Sequence, residues 1–187
     1  MKKYQIIYAD PPWRYNDKQN TKLLGGATKH YPTMKLQDIC ELPVGEMSDK
    51  NSILFLWTTS PLLEASFKVI NAWGFKYKTS FIWDKVKHNM GHYNSVRHEI
   101  LLIASKGSYL PQVRKLFNSV QRIERSKKHS QKPDRFREII NFLYPSGDRI
   151  ELFARKPKTL IEDPSWKGWD VWGNEVDSDT SLEIRKG

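Results

Sequence analysis

Five short runs of apolar and β-branched residues recur along the chain, and they leave few folds open to it. They are Gln5-Ile-Ile-Tyr-Ala9, Ile53-Leu-Phe-Leu-Trp57 and the stretches 79–83, 99–104 and 149–153. Runs that are apolar throughout, rather than alternating, belong to strands covered on both faces. Segments with helical periodicity lie between them. Ser60-Pro61 opens one in the manner of a cap followed by proline, with Leu63, Phe67 and Ile70 on one face and Gly74 at its end. Pro133 opens another, in which Phe136, Ile139, Ile140 and Leu143 fall at the spacing of a buried stripe. Thr33 is expected to cap a third, short helix that carries Leu36, Ile39 and Cys40 and ends before Pro43. Strands alternating with amphipathic helices predict an α/β fold, a mostly parallel sheet with helices on both faces.

The 187 residues suit one core, expected to span 1–175 and to be followed by a polar tail over 176–187. Three polar stretches, 14–31, 85–97 and 107–131, are expected to be loops, and one short strand is expected among Trp166, Trp169 and Trp172. No apolar run approaches the roughly 18 residues of a membrane span. The N-terminus leads straight into a strand rather than a signal peptide. A lone cysteine, Cys40, excludes a disulfide framework and a Cys-rich zinc site, so a cytoplasmic protein is expected.

Net charge is +10, and it is unevenly placed. Residues 1–35 hold seven basic against two acidic side chains, and 106–137 hold ten against two. Two basic blocks around a neutral centre fit a polyanion, because each neutralised phosphate releases counterions. The segment 122–129 is the densest candidate for phosphate contacts, through Arg122, Arg125, Lys127 and Lys128. Lys85 and Arg97 are candidates in the preceding polar stretch.

The tetrapeptide Asp10-Pro11-Pro12-Trp13 carries the chemistry. It follows the first strand, and in parallel sheets ligands bind at the carboxyl ends of strands. Methylating the exocyclic amine of adenine is hard because its lone pair is delocalised into the ring. Two acceptors on its two hydrogens draw the nitrogen towards a tetrahedral, nucleophilic geometry. Asp10 supplies one acceptor, and a carbonyl stiffened by Pro11 and Pro12 supplies the other. Trp13 offers a face for an extruded base, and a carboxylate with aromatic faces suits a cationic methyl donor.

Tyr8-Ala-Asp-Pro-Pro-Trp13 resembles the catalytic motif of the MT-A (seventy-kilodalton) family of S-adenosylmethionine-dependent adenine-N6 methyltransferases. The segments that follow it fall in that family's order: His30-Tyr-Pro-Thr-Met34, Leu54-Phe-Leu-Trp57, Ala72-Trp-Gly-Phe75, Arg97-His-Glu99 with Leu101-Leu-Ile103, Ser130-Gln-Lys-Pro-Asp134, Glu151-Leu-Phe-Ala-Arg155 and Gly168-Trp-Asp-Val-Trp-Gly-Asn-Glu175. Together they cover residues 5–175. No glycine-rich methyltransferase signature is present, which fits the family's permuted order with the catalytic strand first. The resemblance implies a Rossmann-like methyltransferase domain that uses S-adenosyl-L-methionine.

Residue by residue, it implies that Asp10 and the Pro11 carbonyl hold the target amine, with Asp10 also facing the donor. Trp13 and Tyr31 would line the base pocket. Lys132 would pair with the donor's carboxylate, and Arg155, Asn174 and Glu175 would contact its nucleoside. The stretch 156–167 matches no donor contact. Compact, bacterial-style spacing points to DNA rather than RNA. The resemblance also implies a second copy of the chain or a related methyltransferase subunit as protein partner. His88, His92 and His98 superficially resemble metal-ligand spacing, but no carboxylate motif accompanies them and methyl transfer needs no metal. Two alternatives stay open on the residues alone. One is a non-catalytic nucleic-acid-binding subunit. The other is a methyltransferase for RNA or for a different amine, such as cytosine N4 or a glutamine side chain.

Overall fold

All of β1 (Tyr4–Ala9) except Gln5 is buried, so the strand needs neighbours on both edges and cover on both faces. A computed structural model, which describes residues 2–14, 33–89, 93–126, 131–155 and 164–182, shows how it obtains them. β1 is followed by helices α1 (Leu36–Cys40) and α2 (Val44–Met47), then β2 (Ser48–Thr58), α3 (Leu63–Ala72), β3 (Lys76–Asn89) and β4 (Val96–Lys106). A short edge strand β5 (Val120–Arg122), helix α4 (Asp134–Leu143), β6 (Arg149–Leu152) and β7 (Trp169–Trp172) complete the order. The seven strands form one sheet ordered β5-β3-β4-β2-β1-β6-β7. β1 pairs in parallel with β2 and β6, β6 with β7, and β3 with β5. Only β4 runs against the rest, antiparallel to both β2 and β3.

Alternate residues of the central strands feed two cores. On one face Ile7, Ala9, Leu54, Leu56 and Leu152 pack under α1–α3 through Ile39, Val44, Val69, Ile70 and Trp73. On the other, Ile6, Tyr8, Phe55 and Trp57 pack under the stripe of α4, namely Phe136, Ile139, Ile140 and Leu143. Each such side chain contributes roughly 1.5–3 kcal/mol of burial. The helices therefore lie on both faces, as the periodicity predicts. Gly74 ends α3 with φ of +79°, a left-handed turn that glycine adopts without cost, while Phe75 N–H closes back on the Ile70 carbonyl.

Four local expectations are corrected. Thr33 is no cap: Met34 N–H donates to the Pro12 carbonyl, which holds this stretch extended, and α1 starts after Lys35. Ser60 is no side-chain cap either; its hydroxyl pairs with His98 Nε2 at 3.0 Å, and a 3-10 turn over Ser60–Leu62 precedes α3. The polar stretch 85–97 is mostly strand, because β3 and β4 continue into it as an antiparallel pair. Stretch 107–131 contains β5, a three-residue edge strand too short and polar to register as an apolar run. Beyond residue 175 the chain folds back: Val171 and Asp179 exchange two hydrogen bonds, and Leu182 is buried in the first core.

Candidate active site

β1 delivers Asp10 to the carboxyl edge of the sheet, where its N–H reaches the Leu152 carbonyl of β6 at 3.4 Å. The two prolines then force a tight turn. Trp13 N–H donates to the Pro11 carbonyl at 2.8 Å, spending one of that oxygen's two lone pairs. The Trp13 indole donates to the Trp57 carbonyl at 3.1 Å and is only 7% exposed. The ring packs in the core behind Asp10.

α4 brings the counter-charge. Lys132 lies just ahead of the helix, and the docked stripe of α4 fixes where that lead-in falls. Its ammonium stands 2.8 Å from Asp10 Oδ2 and 3.2 Å from Glu99 Oε2, over the Trp57 ring at 5.5 Å. Glu99 receives a second cation, Lys85, at 3.0 Å. Because β4 runs backwards, its first residues rather than its last arrive at this edge, which is how Glu99 joins the group. Asp10, Lys132, Glu99 and Lys85 thus alternate in sign along one line.

Burial and pairing set the charges differently at each member. Burial pushes the Asp10 carboxyl above its ordinary range, and Lys132 only partly offsets this. At Glu99 burial also works upward, but Lys132 and Lys85 outweigh it and hold the carboxyl below its ordinary range. Burial works against the Lys132 ammonium as well, yet Asp10 and Glu99 together raise it. Asp10 and Glu99 together keep Lys132 charged.

Two strained residues flank the cluster. Val86 has φ of +66° and Phe153 has φ of +61°, left-handed values that are costly for branched and bulky side chains. Val86 follows Lys85 in a bulge where 85–88 lie opposite Arg97 alone, and its N–H is held by Asp84 Oδ1 at 2.9 Å. The bulge turns Lys85 inward and Lys87 outward to Glu124. Lys85, expected to touch a nucleic-acid strand, is therefore buried in the site. Phe153 ends β6 and redirects the chain so that Arg155 meets Glu175, Nε to Oε1 at 3.3 Å. Asn174 is exposed beside that pair. Arg97 lies on the rim, bound to Asp84 at 2.8 Å, and Arg122 and Arg125 are exposed nearby. Tyr31, Lys127 and Lys128 lie outside the described residues.

Glu99 is the residue that sequence reasoning missed as a site member. Its signal was a single acid at the head of the apolar run 100–104.

The family model for MT-A70 matches residues 4–175. A type II methyltransferase, M.MunI of a Mycoplasma species, is 38% identical over 98% of this chain and 82% of its own length. The human N(6)-adenosine-methyltransferase catalytic subunit METTL3 is 26% identical over 94% of this chain, and a putative N(6)-adenosine-methyltransferase MT-A70-like protein of Medicago truncatula is 26% identical over 93%. The chain spans 28% and 26% of those two proteins. It belongs to the MT-A70 family, the adenine-N6 methyltransferases that its motifs resemble.

Proposed function

We propose that the chain transfers a methyl group from S-adenosyl-L-methionine to the N6 amine of adenine in DNA, with Asp10 and the Pro11 carbonyl gripping the amine. The observation that carries this reading is the Asp10–Lys132 pair at the carboxyl end of β1. DNA is favoured because the bacterial relative, a type II methyltransferase, is matched over nearly the whole of this chain.

The chemistry of the site's side chains fits the donor. An ammonium suits its carboxylate, carboxylates suit its amino group and sulfonium, and Arg155 with Glu175 and Asn174 suit its nucleoside. Lys132 has three N–H donors; Asp10 and Glu99 engage two, and the third serves the donor carboxylate. When bound, the sulfonium supplies a methyl group already activated for in-line displacement.

The protein's part is to hold the amine. Asp10 accepts from one N–H, and the second lone pair of the Pro11 carbonyl accepts from the other. As the N–C bond forms, the S–C bond breaks with its electron pair passing to sulfur. The alkylated nitrogen then loses its proton to water, so Asp10 need not be a strong base. Arg97, Arg122 and Arg125 face the polyanion, with Tyr31 completing the base pocket and Lys127 and Lys128 the phosphate contacts. A cytoplasmic setting suits this work.

The test is incubation of the full chain with labelled donor and duplex DNA, single-stranded DNA or RNA, followed by digestion to nucleosides. N6-methyldeoxyadenosine is expected. Label on cytosine, or on no nucleoside, overturns the reading.

A further inference from the structure

Lys85 is a cation where the fold offers an apolar place. It follows Trp83 by two residues, on the face of β3 that packs against α4, and is 7% exposed. The strand is held there from its outer side. The Trp83 indole donates to the Ile123 carbonyl at 2.7 Å, and the Ile123 N–H to the Asp84 carbonyl at 3.0 Å. The Lys85 ammonium lies over the Trp83 ring at 5.6 Å and, among the described residues, pairs with one carboxylate, that of Glu99. Keeping it there costs free energy twice. A charge is taken from water, and the turn that follows holds Val86 at φ of +66°. Backbone strain of this kind persists where the surrounding structure imposes it, and it gathers at working sites.

Glu99 divides its two oxygens. Oε1 stands 3.0 Å from Lys85 and Oε2 stands 3.2 Å from Lys132, which is 2.8 Å from Asp10. Two carboxylates therefore share two ammonium groups. Without Lys85 the same two acids would compete for Lys132 alone, and Glu99 would draw it away from Asp10.

We propose that Lys85 is a positioning residue for methyl transfer: by satisfying one oxygen of Glu99 it leaves Lys132 with Asp10, and so sets the charge on the carboxylate that receives the adenine amine. The proposal rests on the reading of Asp10 as an adenine-amine site. Lys85 has no ion pair with Asp10 among the described residues, so its influence passes through Glu99. The other charges around the row are engaged. On β4, Arg97 pairs with Asp84 and His98 meets Ser60. Around Asp10, Arg155 faces Glu175, and Glu151 faces Arg137. Burial works against the Asp10 charge and Lys132 works for it, so any drift of Lys132 towards Glu99 registers at Asp10.

The test uses the full chain labelled with carbon-13 at its carboxyl groups. In Lys85→Met, the Asp10 and Glu99 titrations are expected to move about one pH unit higher, the usual size of losing a neighbouring opposite charge. The acid limb of kcat/KM for the donor on duplex DNA should move with them, because that profile reports groups of the free enzyme. In a Glu99→Gln background the same substitution should leave the Asp10 titration where it was. A lysine that only packs would lower the melting temperature and leave the titrations in place. That result overturns the proposal, and so does an undiminished Asp10 shift once Glu99 is replaced. Lys85→Gln keeps a donor towards Glu99 without the charge, and carries the same comparison if the methionine variant does not fold. A wild type that methylates no adenine in any DNA removes the Asp10 reading, while the carboxyl titrations still decide the role of Lys85. An active wild type whose titrations are matched by Lys85→Met removes only that role.

Discussion

Lys132 stands 2.8 Å from Asp10, so the end of β1 and the lead-in of α4 are joined by charge at the edge where the sheet's parallel strands finish. The helix reaches this position chiefly through apolar docking, with Phe136, Ile139 and Ile140 each 1% exposed, and through the buried Arg137–Glu151 pair to β6. Hydrophobic packing on one face of the sheet thereby sets an electrostatic distance at its rim.

Asp10→Asn keeps the shape of the side chain and removes its charge. Methyl transfer should fall by about 10²–10³-fold, the usual cost of losing one preorganised polar contact to the reacting group. Because burial already pushes the Asp10 carboxyl upward, the neutral variant should melt at the wild-type temperature or above it. For the same reason the wild-type rate should decline on acidification at a higher pH than an ordinary aspartate would give. Calorimetric melting and a pH–rate profile check both.

Lys132→Met should weaken donor binding by about 10–100-fold, since a charge-assisted hydrogen bond contributes roughly 1.5–3 kcal/mol. Lys132→Arg should not restore it, because a planar fork cannot occupy the place of a point charge held between Asp10 and Glu99. Titration calorimetry with the donor measures the difference directly.

Val86→Gly should raise unfolding stability by up to about 1 kcal/mol. Relief of a left-handed β-branched residue returns roughly 1–2 kcal/mol, against 0.5–1 for glycine's extra freedom in the unfolded chain. Val86→Ala retains a Cβ and should give no gain. Urea unfolding of the two variants separates strain from side-chain packing.

Arg137 donates to Glu151 through Nε at 3.0 Å and a terminal nitrogen at 2.7 Å, beneath Tyr8. Burial, only partly offset by Arg137, pushes the Glu151 carboxyl up to about 7. The folded chain therefore holds this proton more tightly than the unfolded one, and stability falls as pH rises from about 4.5 through 7. Arg137→Met should cost about 3 kcal/mol at pH 8, where an unpaired buried carboxylate is left behind, and much less near pH 5. Denaturant titrations at the two pH values decide it.

The buried strands and the stripe of α4 were legible because burial on two faces writes continuous apolar runs and helical spacing. The Asp10 turn was legible because two consecutive prolines admit little else. Less visible was anything depending on which strands meet. Glu99 reaches the site only because β4 is reversed, and no local pattern announces a strand's direction. Lys85 and Lys87 read as neighbours in one polar stretch, yet a bulge sends them to opposite sides. The tie between Trp13 and the Trp57 carbonyl was not visible, because the two lie far apart in sequence.

Reversal of β4 has an evolutionary corollary. Since β3 and β4 are tied across the site by Lys85 and Glu99, a substitution at exposed Tyr93 should leave the Glu99–Lys132–Asp10 contacts in place. Sequence drift over the exposed residues 93–95 should thus be tolerated while methyl-transfer chemistry stays untouched.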